Sequence, residues 1–451
     1  MRLAGTADKK PMNARKILLA AALLLAGVIA GGCADRTRVA AAPAPAQRTS
    51  FDAALVARGA RLAAIGNCAA CHTQPGGKAF AGGLPLSTPF GTIYSTNITP
   101  DPDTGIGRWT GEEFLRAMHE GIDRGGRHLY PVFPYDHFTL VTDDDVAAIY
   151  AFIMTRDPVK ADVPANRLTF PARFRPAIAA WKALYFARGV YRPDPSRSAE
   201  WNRGAYLAEG LGHCGACHTP HNALGAEEKQ RDLGGGDVES WHASSLTVTS
   251  PAPVPWTADQ LFDYLRGGRE VKHGIAAGPM SPVVHDLAGV AENDVRAIAV
   301  YIASRMRPEG PDAQKPGNAL FASARPEEAG SSSGTRRGTA SLDEGEGIFI
   351  GACATCHSAG LAATDRQPVA LGLTTSINAP DPRNAVHITL EGLWPEPGER
   401  GALMPGFAGE LSDGQVAALV DYLRARFTDK PAWTDVPERV REIRQGMRDE
   451  R

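Results

Sequence analysis

The sequence predicts a mainly α-helical protein built as three tandem repeats of one small unit, and three observations carry that reading. One five-residue string recurs at near-equal intervals as Cys68-Ala69-Ala70-Cys71-His72, Cys214-Gly215-Ala216-Cys217-His218 and Cys353-Ala354-Thr355-Cys356-His357. Each copy follows a segment with small residues at its centre, Arg58-Gly59-Ala60, Arg203-Gly204-Ala205 and Gly345-Glu346-Gly347. Each repeat also closes on a run with apolar residues at helical spacing and an aromatic near its end, at 146–150 (Tyr150), 295–301 (Tyr301) and 416–422 (Tyr422). No strand-rich region interrupts the pattern.

The chain opens with Lys9, Lys10, Arg15 and Lys16 ahead of an apolar run at 17–30 that ends in Ala30-Gly31-Gly32-Cys33. Residues 1–33 thus read as an export signal. The small residues before Cys33 resemble a bacterial lipobox, with Ala30 where Leu is usual, so Cys33 is the expected lipidation site. Cleavage in the Ala-rich stretch 39–46 is the alternative. The run is too short for a comfortable membrane span, and no other segment qualifies. An Ala/Pro linker at 34–50 leads to the first repeat at 51–157. Residues 158–195 form an amphipathic linker, in which Phe174, Ile178, Trp181 and Tyr185 share a helical face beside Arg173, Arg175, Lys182 and Arg188. Such a segment suits a membrane surface, or packing between repeats or on a partner chain. The second repeat spans 196–307. The Pro/Gly/Ser-rich stretch 308–340 reads as a mobile tether, the third repeat spans 341–427, and 428–451 reads as a charged, solvated helical tail. The first two repeats share a further string, Trp109-Thr110 to Gly121 and Trp256-Thr257 to Gly268, an amphipathic helix stopped by glycine. A weaker counterpart ends at Gly392.

The recurring C-x-x-C-H string is the attachment site of c-type haem. Two thiols bond one edge of the porphyrin and the adjacent imidazole points beneath the ring. A zinc site would use such cysteine pairs but needs four closed ligands and no His after every second Cys. A thioredoxin-like site needs one motif beside a βαβ pattern. The expectation is therefore three covalently bound haem c groups, on Cys68 and Cys71, Cys214 and Cys217, and Cys353 and Cys356, with His72, His218 and His357 as proximal iron ligands. Glycine in each first helix would let the closing helix approach closely, as in small class I cytochrome c domains, and export fits covalent haem maturation.

Opposite each proximal histidine a distal ligand sets the potential, and Met raises it. Met280, in Gly278-Pro279-Met280, and Met404, in Leu403-Met404-Pro405-Gly406, occupy Gly/Pro-rich loops before the closing helices. The first repeat breaks the register, because its matching residue is Phe133, which cannot ligate iron. Met118 and Met154 read as core. His137 is the expected distal ligand there, with His128 or an open iron as alternatives, and bis-His ligation would make this haem the lowest in potential. His119, His213, His221, His242, His273, His285 and His387 read as surface or supporting groups, and Asn97 and Arg127 as candidate propionate partners. The formal charge of −2 and pI near 6.6 argue against a nucleic-acid partner. No dinucleotide fingerprint, flavin or molybdopterin site, or hydrolytic constellation is visible, so substrate chemistry is expected on partner chains.

The strings Phe90-Gly91-Thr92-Ile93-Tyr94-Ser95-Thr96-Asn97-Ile98-Thr99-Pro100-Asp101, Trp201-Asn202-Arg203-Gly204-Ala205-Tyr206-Leu207 and Gly212-His213-Cys214-Gly215-Ala216-Cys217-His218-Thr219-Pro220 resemble the tri-haem cytochrome c subunits of periplasmic membrane-associated dehydrogenases. The resemblance covers 51–427. Members serve quinoprotein alcohol dehydrogenases, flavin-dependent gluconate-type dehydrogenases and molybdenum hydroxylases of the nicotinate and isoquinoline type. In the first two groups the loop of the first repeat carries Met at the place of Phe133. The string Phe133-Pro134-Tyr135-Asp136-His137-Phe138-Thr139 is similar to the molybdenum-hydroxylase branch, as is Ala276-Ala277-Gly278-Pro279-Met280-Ser281-Pro282-Val283-Val284. The resemblance implies an electron-transfer subunit anchored at the periplasmic face of the inner membrane, passing electrons from a dehydrogenase catalytic subunit to quinone or a terminal oxidase. A haem peroxidase or ligand-binding role, through an open first haem, is the alternative from another class.

Overall fold

The computed structural model describes residues 50–307, 340–357, 369–393 and 404–449; the export segment, Cys33 and the stretch 308–339 lie outside them. Helices dominate. The first, α1 (Ala53–Ile65), starts at Asp52, whose carboxylate accepts from the amides of Ala54 and Leu55. Helix α2 (Gly111–Glu120) opens on a Thr110/Glu113 capping box and stops at Gly121 with φ +56°. After α3 (Asp143–Met154) the linker forms α4 (Arg175–Tyr185). Then follow α5 (Ala199–Ala205), α6 (Ala258–Gly267), α7 (Met280–Ala288) and α8 (Glu292–Met306). Helix α6 repeats the design of α2, with a Thr257/Gln260 capping box and Gly268 at φ +70°. The last four are α9 (Ala340–Ile348), α10 (Arg383–Glu391), α11 (Asp413–Phe427) and α12 (Val436–Asp449). Strands are short. β1 (Pro85–Thr88), β2 (Gly91–Tyr94) and β3 (Arg167–Leu168) make an antiparallel sheet with Leu86 opposite Ile93 and Gly91 opposite Leu168. β4 (Gly236–Val238) pairs with β5 (Trp241–Ala243). Among the described residues no helix is long and apolar enough to cross a membrane.

Three helix pairs cross in the same way, at glycine. A Cβ on Gly59 of α1 would lie 1.9 Å from the Ala148 carbonyl oxygen of α3 and 2.8 Å from Phe152 Cβ. On Gly204 of α5 it would lie 1.9 Å from the Ala297 oxygen of α8 and 2.9 Å from Tyr301 Cβ. On Gly345 of α9 the distances are 2.2 Å to the Ala418 oxygen of α11 and 2.7 Å to Tyr422 Cβ. Any side chain there would force the helices apart. The crossings also correct one register: the aromatic equivalent to Tyr301 and Tyr422 is Phe152, not Tyr150. Tyr150 instead donates its hydroxyl to the Trp109 carbonyl at 2.7 Å.

One continuous core runs from Leu62 to Met306 and joins the elements of the first two repeats; a second runs from Phe349 to Ile443. At the junction inside the first core, the Tyr206 hydroxyl donates to Asp145 at 2.6 Å, and Asp145 also takes Arg58 at 2.6 Å. One expectation fails here, and one of the alternatives given for the linker is met. The tail is not a solvated helix, because α12 sinks Val436, Val440 and Ile443 into the second core behind Trp433. The linker helix follows the packing alternative, with Trp181 donating to the Leu224 carbonyl of the second repeat at 2.9 Å. Ile178 and the stem of Lys182 turn inward, the Lys182 ammonium donating to the carbonyls of Glu120 and Gly121 that end α2. That places a cation on a helix C-terminus. Phe170 and Phe174 stay exposed.

Candidate functional site

Each C-x-x-C-H string folds as a single helical turn, over Cys68–His72, Gly215–His218 and Ala354–His357. The residue before the first cysteine is left-handed in two of them, Asn67 at φ +51° and His213 at φ +37°. A π-turn leads into the second and third motifs, over Tyr206–Leu211 and Phe349–Cys353. These irregular turns end the incoming helix and let the motif leave its axis.

The histidines are held by their far nitrogens. His72 Nδ1–H donates to the Thr96 carbonyl at 2.6 Å, and His218 Nδ1–H donates to the Ser244 carbonyl at 2.6 Å. A carbonyl only accepts, so the proton must sit on Nδ1 and the lone pair is left on Nε2, the arrangement metal-binding imidazoles require. Enclosure by the fold lowers the pKa of His72, His218 and His357, which favours the neutral, ligating form. The Nδ1 of His357 is buried with no hydrogen-bond partner among the described residues. Burial pushes the Cys68, Cys214 and Cys217 thiols up to about 12. Thiols that resist ionisation in this way, half-buried as they are, fit a thioether linkage better than a thiolate zinc site or a low-pKa redox pair.

A single cavity of about 2050 Å³ touches all three motifs, at Cys71, at Cys214, Cys217 and His218, and at Cys353, Cys356 and His357. That is about twice the upper end for an ordinary small-molecule pocket, room for more than one large planar group. Met280, at the start of α7, and Met404 both line it. Met404 is fixed by a reciprocal backbone bridge with Leu393, at 2.8 and 3.1 Å. The first two motifs lie near each other: Cys71 raises the pKa of Cys217 of the second motif, and Asp286 of α7 raises those of Cys68 and Cys71. The residues present therefore fit haem c in chemistry and room.

The first repeat differs from the expectation. His137 does not reach across its own motif. Its Nδ1 bonds the Glu209 carbonyl at 2.7 Å and its Nε2 bonds Glu227 Oε1 at 2.5 Å, so neither nitrogen is left for iron. It sits instead against the second motif, in a cavity of about 170 Å³ shared with Cys214 and Gly215. Burial alone would lower its pKa, but the hydrogen bond and charge of Glu227 raise it. Burial opposes ionisation of Glu227 as well, yet His137 and Lys229 hold it down to about 2. Phe133 stacks edge-on against Phe138 at 5.3 Å, and its neighbours Tyr130, Pro131, Val132 and Pro134 line the large cavity. Met118 is core and Met154 packs against it. His128 has a buried, unpartnered Nδ1 but is not on the cavity wall.

Asn97 and Arg127 are not poised for propionates. Asn97 is buried, donates to Thr104 and to the Val159 carbonyl, and accepts from Thr99. Arg127 pairs with Asp123 at 2.7 Å. Of the histidines read as surface or supporting groups, His119, His273 and His387 are buried. The carbonyls of Thr96 and Ser244 escaped the sequence reading because a backbone acceptor has no residue signature; their similar separation from their motifs was the only signal.

A family model for cytochrome c matches residues 56–157, and one for subunit III of cbb3-type cytochrome c oxidase matches 340–423. The chain is 48% identical over 404 residues to a nicotinate dehydrogenase subunit of Pseudomonas putida, an overlap covering 88% of this chain but 32% of that protein. It thus spans about a third of that relative. It is 34% identical to the fructose dehydrogenase cytochrome subunit of Gluconobacter japonicus, over 94% of this chain and 88% of the relative. With the gluconate 2-dehydrogenase cytochrome c subunit of Pantoea cypripedii it shares 35% identity over 87% and 90% of the two chains.

Proposed function

We propose that this chain, which belongs to the cytochrome c subunits of dehydrogenases, carries electrons through three covalently bound haem c groups in three tandem class I cytochrome c-like units. The observation that carries the reading is the one cavity shared by three C-x-x-C-H motifs and two methionines. Bound there, haem c supplies one-electron chemistry at iron. Cys68 and Cys71, Cys214 and Cys217, and Cys353 and Cys356 fix the three groups, and His72, His218 and His357 offer the proximal nitrogen. Met280 and Met404 offer the distal sulfur at the second and third. The chain's own contribution is placement, exclusion of water and choice of axial ligand.

The electron donor is a dehydrogenase catalytic subunit. The likeness to the nicotinate dehydrogenase chain and the Phe133–Thr139 string support the molybdenum-hydroxylase branch. The acceptor is quinone or a terminal oxidase. The protein works in the periplasm, anchored to the inner membrane by lipid at Cys33, a reading that the export-like segment before Cys33 supports, as do Phe170 and Phe174 exposed on the 158–195 segment. The test is haem content: the mature chain should show a mass gain and a haemochrome absorbance equal to three haem c, and should co-purify with a dehydrogenase from solubilised membranes. Fewer than three haems, or a monomer without partner, overturns it.

A second reading, ligand binding at an open first haem, is favoured by Phe133 turned onto Phe138 and by His137 engaged at both nitrogens. Carbon monoxide difference spectra of the reduced protein decide: a signal from one haem in three supports it, and no signal at native pH leaves a pure electron carrier.

A further inference from the structure

We infer that the stacked pair Trp241–His387 is the joint that places the third haem site against the second and the bridge over which electrons pass between them. The inference rests on the three-haem reading above. Trp241 lies in β5 and lines the shared cavity; its ring lies flat on the imidazole of His387, with centroids 4.4 Å apart and planes 14° from parallel. The same indole rests on Gly278, in the loop that leads into Met280 at the start of α7. Gly278 has φ +53°, and a Cβ there would lie 2.3 Å from Trp241 Cε2, so only glycine admits the ring. His387 belongs to α10, which stops at Gly392. A Cβ on Gly392 would lie 2.3 Å from the Met404 carbonyl, and Leu393 bridges Met404 directly. Packed and covalent contacts thus run from the loop of one distal methionine, through two stacked rings, to the loop of the other.

The surroundings hold this stack in one geometry. His387 is buried, its Nδ1 on Glu391 at 2.5 Å and its Nε2 beside the hydroxyl and carbonyl of Ser240 at 3.1 and 3.2 Å. Asn384, one turn earlier on α10, imitates a strand neighbour: its Nδ2 donates to the His242 carbonyl at 2.8 Å and its Oδ1 accepts from the His242 amide at 2.9 Å. Arg383 reaches Asp237 of β4 at 2.8 Å while gripping Asp381. A surface built only for adhesion has no need of an imidazole laid parallel beneath an indole that forms the wall of a cofactor cavity. The step itself is simple: one electron leaves ferrous iron at one site and reduces ferric iron at the other, with no bond broken and no proton moved.

The experiment uses the haem-loaded full chain. Trp241→Leu and His387→Ala should slow equilibration between the second and third sites after rapid reduction several-fold. Midpoint potentials, set by ligands these variants leave alone, should stay put. His387→Phe and Trp241→Phe keep a ring and should retain most of the rate; they also replace a leucine or alanine variant that fails to fold. Equal rates in the ring-free and ring-bearing variants, with three haems per chain, overturn the bridge. Fewer than three haems in the unmodified chain instead overturns the reading on which it rests.

Discussion

His137 and Glu227 show how a residue chosen for one role is bound into another. Their ion pair is buried at the junction of the first two repeats, with both side chains under a tenth exposed. Removing one partner of such a pair strands the other charge, so Glu227→Gln should lower stability by about 3 kcal/mol in calorimetry at pH 6. The signs set the window. His137 is raised, so its share is full below its unfolded value of about 6.5 and fades as pH climbs through the raised one. Glu227 is depressed, so its share is full above about 4.3 and fades as pH falls towards about 2. The gap between the native and Glu227→Gln melting curves should therefore be widest between about pH 5 and 6.5; a gap that is flat with pH contradicts the pairing. The loop around His137 was legible as a special place in the sequence. Its partner was not, because Glu227 comes from a distant loop that only folding brings near.

At the scale of elements, much was written in local chemistry. The capping boxes at Thr110 and Thr257 and the left-handed glycines at Gly121 and Gly268 bound their helices as short-range signals do. The glycines of the crossings were visible too, and they invite a direct test. Gly204→Ala brings a methyl into the Ala297 carbonyl of α8, which cannot yield without moving the helix. The variant should lose about 1–3 kcal/mol, measured by denaturant titration. Helix α12 was misread because its many charges hide three apolar residues at helical spacing. A chain ended after Phe427 would expose the wall that Trp433, Val436, Val440 and Ile443 cover. Its third repeat should melt several degrees earlier, whereas a solvated tail would be removed without effect.

Over the whole molecule, the threefold motif was legible because covalent chemistry demands those residues at that spacing. The way the repeats share a cavity and two cores was not, since it depends on contacts such as Arg383 with Asp237 that leave no periodic trace. On the ligand sets proposed above, redox titration should resolve three one-electron steps, with the sites assigned to Met280 and Met404 highest. Met404→His should lower one of these and leave the others in place, while movement of all three would contradict separate ligand sets. One last feature reaches beyond packing. The carbonyl that grips His72 belongs to Thr96, and the next residue, Asn97, is fastened to Val159, where the linker begins. A tug on that flank by whatever docks there would travel through one amide to the imidazole. With haem iron held on His72 as proposed, such a pull would alter how readily that site takes an electron.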